Sequence, residues 1–439
     1  MLTPGLSEDR QTRSLIHSIF ELDQPDISQE LAVGIRGARQ LWTNEALAET
    51  LFRGKQHCSN DPRLSNSPPS VSEFLMWNGA IVAQSLTGPN EVCLPIHTSG
   101  EFRTAARPPR YGRSLVVEAR PLGWGGTPCS CCPSVGVLDL KGVGLRFGLK
   151  PSLGNHRTGV LPLPMAIEEL VNQMIVERVL AREGLDVHGV PMLALVDPGF
   201  RARIPGSNYL PCAILIRTGH RRTLGGKDLP AYGTDAQRVQ IMIELILRRY
   251  GITSATAMTR LQLHRSSQGV CAATYSGVSV QGLESEHIEN ILKELGLDLP
   301  LGAIVEFDAV NVQTTREIGC RPLSATLVDF GHYNIATSLH RPILSLVADR
   351  PLNWGGVVWS SEIAEICSFR RPLPKRFQWG RLDTMISRWS GFSQDMELPP
   401  SARFGFEMAW KWDTGTLSAP DFAREIEDFA ALAELIGPE

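Results

Sequence analysis

No stretch of this chain approaches the roughly 20 consecutive apolar residues that a helix needs to cross a bilayer. The opening segment, MLTPGLSEDRQTRSLIHSIF, is polar and carries acids early, unlike a secretory signal. A reducing, cytoplasmic compartment and no membrane partner are therefore expected. Charge of one sign is lacking too. The 43 Lys and Arg against 46 Asp and Glu leave a net charge of −3, which argues against a protein built to neutralise nucleic acid. Nine cysteines, an odd number spread over 439 residues, suit free thiols better than a disulfide framework. Internal repeats and long low-complexity tracts are missing.

What is present is an ordinary globular composition, 43% hydrophobic and 20% charged, in a chain too long for one small core. Two lobes, with an extension, are the expectation. Residues 1–70 read as a helical N-terminal extension, with QELAVGIRGARQLWTNEALAETLF its best run and SNDPRLSNSPPS (59–70) a linker. Residues 71–218 read as β-rich. SLVVEA (114–119) and VGVLDLKG (135–142) are strand-like, and VPMLALVD (190–197) and CAILIRT (212–218) follow. Between the pairs lies PMAIEELVNQMIVERVLAREG (164–184), with Pro164 for its first turn and Gly184 as its cap. Ile167, Leu170, Val171 and Met174 form one stripe, and a second apolar face predicts a sandwiched helix.

Residues 219–439 read as mostly helical. TDAQRVQIMIELILRRYG and SEHIENILKELG are amphipathic, and a hairpin pattern occupies 303–337. The closing segment SAPDFAREIEDFAALAELIG predicts a capped helix with Phe422, Ile426, Phe429 and Ala433 inward.

Four residues then stand in a telling order. Lys141 ends a strand in LDLKGVG, Glu169 sits early in the sandwiched helix, Asn311 opens the hairpin, and Asp329 closes it in VDFGHYNI. The physical logic is charge: a nucleotide triphosphate needs fixed cations in a low-dielectric cleft, and an ammonium is useful only when aimed. Magnesium prefers hard oxygen ligands such as a carboxylate and an amide.

This order resembles the protein-kinase-like fold, and the segments LKGVG, GLKPSLGNHRTGVL, AIEEL and VDFGHYNI are similar to those of the selenoprotein O family. The resemblance implies an α+β, two-lobed fold binding ATP and magnesium and transferring a phosphoryl or adenylyl group to a peptide or protein hydroxyl. It implies that Lys141, held by Glu169, grips phosphates, that Asn311 and Asp329 hold magnesium, and that Gly154, Asn155 and Arg157 lie near the phosphates. Arg217 or Arg221 would supply a phosphate arginine. Glu306, five residues before Asn311, or Asp308 would accept the hydroxyl proton. The segment VEFDAVNVQT replaces that family's His-Gly-Val and Asn-Thr-Asp-Asn motifs. That leaves two alternatives: a catalytically inactive pseudokinase that binds a peptide or protein, and an unrelated α+β binding protein.

One segment stands apart. GWGGTPCSCCPS (123–134) reads as a glycine-rich loop over phosphates, as a zinc site, or as a loop with idle thiols. Cys129, Cys131 and Cys132 lack paired two-residue spacing, and no neighbouring residue offers a fourth ligand, so the loop reading is preferred.

Overall fold

The computed structural model describes residues 28–58, 69–107, 113–123, 129, 131–146, 148–153, 158–182, 191–222, 262–265, 271–274, 336–338, 371, 373–377 and 380–436. Its centre is an antiparallel sheet of eight strands, ordered β2-β7-β10-β6-β5-β4-β1-β3. The strands are β1 (Ser28–Ile35), β2 (Arg39–Thr43), β3 (Ile81–Ala83), β4 (Thr98–Arg107) and β5 (Ser114–Ala119). They continue with β6 (Gly136–Lys141), β7 (Met192–Asp197) and β10 (Ile214–Thr218), after a small ladder of β8 (Arg201–Ala202) on β9 (Leu210–Pro211).

Both faces of the sheet are covered, and the alternation of side chains along each strand sorts residues between two cores. On one face, Leu138 and Leu140 of β6 and Ile214 and Ile216 of β10 meet Phe52 of α1 (Glu45–Phe52) and Phe74 of α2 (Val71–Gly79). A capping box starts α2: Ser70 accepts from the Glu73 amide while Glu73 accepts from the Ser70 amide. A single-turn helix, α3 (Gln84–Thr87), follows β3.

On the other face, Leu215 of β10 joins Ile167, Leu170 and Val171 of α4 (Leu163–Arg182). The opposite side of α4 packs on α6 (Pro400–Asp413), so the helix is sandwiched, as its two apolar faces predict. Gly405 permits that close approach, because a Cβ there would overlap the Pro164 carbonyl oxygen. A short helix, α5 (Thr384–Ser390), precedes α6. Phe422, Ile426 and Phe429 of α7 (Ala419–Ala430) and Ala433 beyond it all turn inward, and Ser418 caps α7, as the sequence predicts. Each such large apolar side chain contributes roughly 1.5–3 kcal/mol when fully buried.

The N-terminal part departs from expectation. Ser28–Ile35 and Arg39–Thr43 are two strands of the main sheet, not helix, and among the described residues before 70 only Glu45–Phe52 is helical. The run ELAVGI serves either period, and pairing decides it. Leu31 lies opposite Thr104 and Val33 opposite Phe102 on β4, while Gln40 lies opposite Val196 on β7. Among the described residues no helix is long and apolar enough to cross a membrane. The two amphipathic helices expected between 219 and 296, and most of the 303–337 hairpin, lie outside the described residues.

Candidate functional site

The site begins with a strand whose every residue is buried. In β6, Leu138 and Leu140 face the α1–α2 core, so period two sends Asp139 and Lys141 to the face beneath α4. On the neighbouring strand the antiparallel register sets Leu215 opposite Lys141 and Arg217 opposite Asp139. From above, α4 lowers Glu169 onto these side chains, two residues after the inward-facing Ile167.

The result is a neutral quartet of two cations and two anions. Lys141 Nζ donates to both carboxylate oxygens of Glu169, at 2.8 Å and 2.6 Å. Arg217 Nη2 donates to Asp139 Oδ2 at 2.6 Å, and its Nη1 lies 3.4 Å from Glu169 Oε1. Relative exposure is 2% for Lys141, 1% for Arg217 and 0% for Asp139 and Glu169. At that burial each charge depends on its partners, because desolvation costs several kcal/mol per ion and only close pairing and hydrogen bonding offset it. The lysine is thus held in place, not waving from a strand end. Asn172 and Gln173, one helical turn beyond Glu169, are buried as well.

Two glycines after the lysine make the turn that carries the chain away. Gly142 has φ +95° and Gly144 φ +118°. A Cβ on Gly142 would stand 2.6 Å from the Ala213 carbonyl oxygen and 2.7 Å from Leu161 Cβ. The Gly144 carbonyl accepts from Arg107 Nη1 at 3.1 Å. Arg107 in turn pairs with Glu30 through bonds of 2.9 Å and 3.0 Å. Burial draws the Arg107 guanidinium below the ordinary arginine range, and Glu30 opposes that shift. This second clasp ties β1, β4 and β5 to the turn after the lysine strand.

Of the residues singled out in the sequence, the structure brings Lys141, Glu169 and Arg217 together. Arg217 spends its guanidinium on Asp139 and Glu169, within the sheet. Gly154, Asn155, Arg157, Glu306, Asp308, Asn311 and Asp329 lie outside the described residues. Asp139 went unrecognised in the sequence, although its signal was there: a carboxylate two residues before a lysine, in a strand otherwise apolar. Glu30 and Arg107 carried no local signal, because 77 residues separate them. No family model, no curated protein and no solved structure matches this chain.

Proposed function

We propose that the chain is a kinase-like transferase that binds ATP with magnesium and passes a phosphoryl or adenylyl group to a peptide or protein hydroxyl. The observation that carries this reading is the bidentate Lys141–Glu169 pair between a sheet strand and the helix that directly follows it. Kinase-like enzymes aim their phosphate-binding lysine with the same strand-to-helix pair. The chain order of β4, β5, β6, α4, β7 and β10, with β10 inserted between β6 and β7, gives that lysine a central strand.

In this reading Lys141 is the cation that meets the polyanion. Lys141 is a cation fixed in a site of low dielectric, where charge stabilisation is stronger than in water. By the family resemblance, Asn311 and Asp329 would hold magnesium, whose chemistry is to neutralise phosphate oxygens. Gly154, Asn155 and Arg157 would flank the phosphates, and Glu306 or Asp308 would take the acceptor proton. In this reading Glu169 orients the Lys141 ammonium, and Arg217 with Asp139 keeps the glutamate in place.

A second reading is favoured by the near-complete burial of the quartet. Four mutually compensated charges also make a structural clasp, and a non-catalytic pseudokinase-type chain would bind a peptide or protein partner without group transfer.

Thermal-shift titration of the full chain with ATP and magnesium separates the two. A rise in melting temperature that disappears in Asp329→Asn supports nucleotide binding. Incubation with γ-labelled and, separately, α-labelled ATP then distinguishes phosphoryl from adenylyl transfer. Binding without either label transfer selects the second reading. Indifference of the wild-type protein to nucleotide overturns the first.

A further inference from the structure

Cys129, Cys131 and Cys132 have a fourth partner that their spacing does not reveal. Cys58, which follows α1 by six residues, places its sulfur 3.6 Å from Cys131 Sγ and 3.3 Å from Cys132 Sγ. Cys129 Sγ lies 2.8 Å from Cys131 Sγ, and Cys131 Sγ lies 4.0 Å from Cys132 Sγ. All four sulfurs sit within 4.8 Å of one another. Four thiolates around a zinc ion, at Zn–S of about 2.3 Å, stand about 3.8 Å apart along each tetrahedral edge. The observed spacings bracket that edge.

The frame around the sulfurs is built from backbone. The Cys58 amide donates to the Leu122 carbonyl at 2.8 Å, and the Leu122 amide to the Gln56 carbonyl at 2.9 Å. The Cys129 amide donates to the Pro121 carbonyl at 2.7 Å, and the Val135 amide to the Ala119 carbonyl at 2.8 Å. Two chain segments are thus pinned to the end of β5, one on each side, with their thiols facing each other. Cys58 is buried and Cys131 exposed, so the cluster reaches from the core to solvent and an ion has a route in. Among the described residues no other group of three or more His, Cys, Asp or Glu side chains gathers this closely.

We propose that Cys58, Cys129, Cys131 and Cys132 form a closed, four-thiolate site for a zinc ion. Soft sulfur donors select zinc over magnesium or calcium, and four protein ligands leave no open position for catalysis. Binding breaks four S–H bonds, releases the protons to solvent and forms four Zn–S bonds, with no change of oxidation state. The ion would anchor the segment leading into the lysine strand β6 to the end of the α1 segment. Cys58 supplies the fourth donor that the sequence reading of an idle loop did not find. The missing ligand is 71 residues upstream of Cys129, beyond the reach of any spacing rule. This site is independent of nucleotide binding, and its failure would leave that reading as it stands.

The test uses the full chain expressed with zinc and purified under mild reduction. Elemental analysis is expected to find about one zinc per chain, with at least ~10-fold less in Cys58→Ser and in Cys131→Ser. Cys131 is exposed, so its serine variant keeps the fold by circular dichroism. Cys93→Ala, a thiol outside the cluster, keeps the metal. Cobalt replacement should give the thiolate charge-transfer and visible bands of a tetrahedral sulfur site. Zinc that is absent, or equally present in both serine variants, overturns the assignment. So does iron with a sulfide-to-iron spectrum, or an intact mass short by two hydrogens that places a disulfide within the cluster.

Discussion

Arg217 Nη2 and Asp139 Oδ2 lie 2.6 Å apart on paired strands, with relative exposures of 1% and 0%. The pair stands directly beside Lys141 and Glu169, and the four charges cancel. Removing one member should therefore harm the protein more than removing two. Arg217→Met is expected to cost about 3–5 kcal/mol, because it strands a buried carboxylate. The double substitution Arg217→Met with Asp139→Leu should recover a large part of that loss. Urea denaturation of the four proteins in this cycle checks it, and simple additivity would refute the coupling.

Lys141 tests position against charge. Lys141→Met leaves Glu169 with Arg217 at 3.4 Å, so its destabilisation should be smaller than that of Arg217→Met. If Lys141 grips phosphate, the same variant should also lose the ATP-dependent rise in melting temperature. Glu169→Gln keeps the shape of the side chain but releases the ammonium, so nucleotide affinity should fall while the fold persists. Comparing the melting temperatures of these variants with and without ATP separates the two contributions.

Glycines with similar φ should respond differently to a Cβ. Gly142→Ala combines left-handed strain with overlap on Ala213 and Leu161, and about 2–5 kcal/mol of destabilisation is expected. Gly37, at φ +74°, has nothing within 4 Å of its would-be Cβ. Gly37→Ala should cost only the backbone strain, about 1–2 kcal/mol. Equal effects in denaturant titrations would show that packing around the lysine strand does not decide.

Asp197 joins β7 to the C-terminal helices. Its Oδ2 accepts from Trp412 Nε1 at 2.8 Å and from Arg39 Nη2 at 2.6 Å, and its Oδ1 from the Gly199 amide at 2.8 Å. Asp197→Ala leaves the buried indole N–H without its acceptor, which costs about 1–3 kcal/mol. The companion Trp412→Phe should be less costly per hydrogen bond lost, as it removes donor and need together. Thermal unfolding followed by tryptophan fluorescence reads both.

A pH effect belongs to the start of α7. Ser418 donates a hydrogen bond to Asp421, and Arg424 lies beside it; together they hold the carboxyl below the usual aspartate range. A carboxyl depressed on folding adds stability above its unfolded pKa and loses it as pH falls through the lower folded value. Acidification through that interval should loosen α7, and Ser418→Ala should raise the Asp421 titration midpoint, measured by NMR of its carboxyl carbon.

Several features were legible in the sequence because they are local. The span of α4, its two apolar faces, the cap and inward residues of α7, and the alternation in β6 all follow from period and punctuation within a few turns. The nearness of Lys141 and Glu169 was implied only by the family resemblance, since 28 positions and the connector between β6 and α4 separate them. Other features needed the chain to return on itself. Only pairing with β4 and β7 made strands of residues 28–43, and only the β6–β10 register put Arg217 on Asp139, 78 positions away. Cys58 reached its three partners in the same way. Local propensity depends on neighbours along the chain, whereas a buried charge or a thiol cluster depends on which distant segment fills the space beside it.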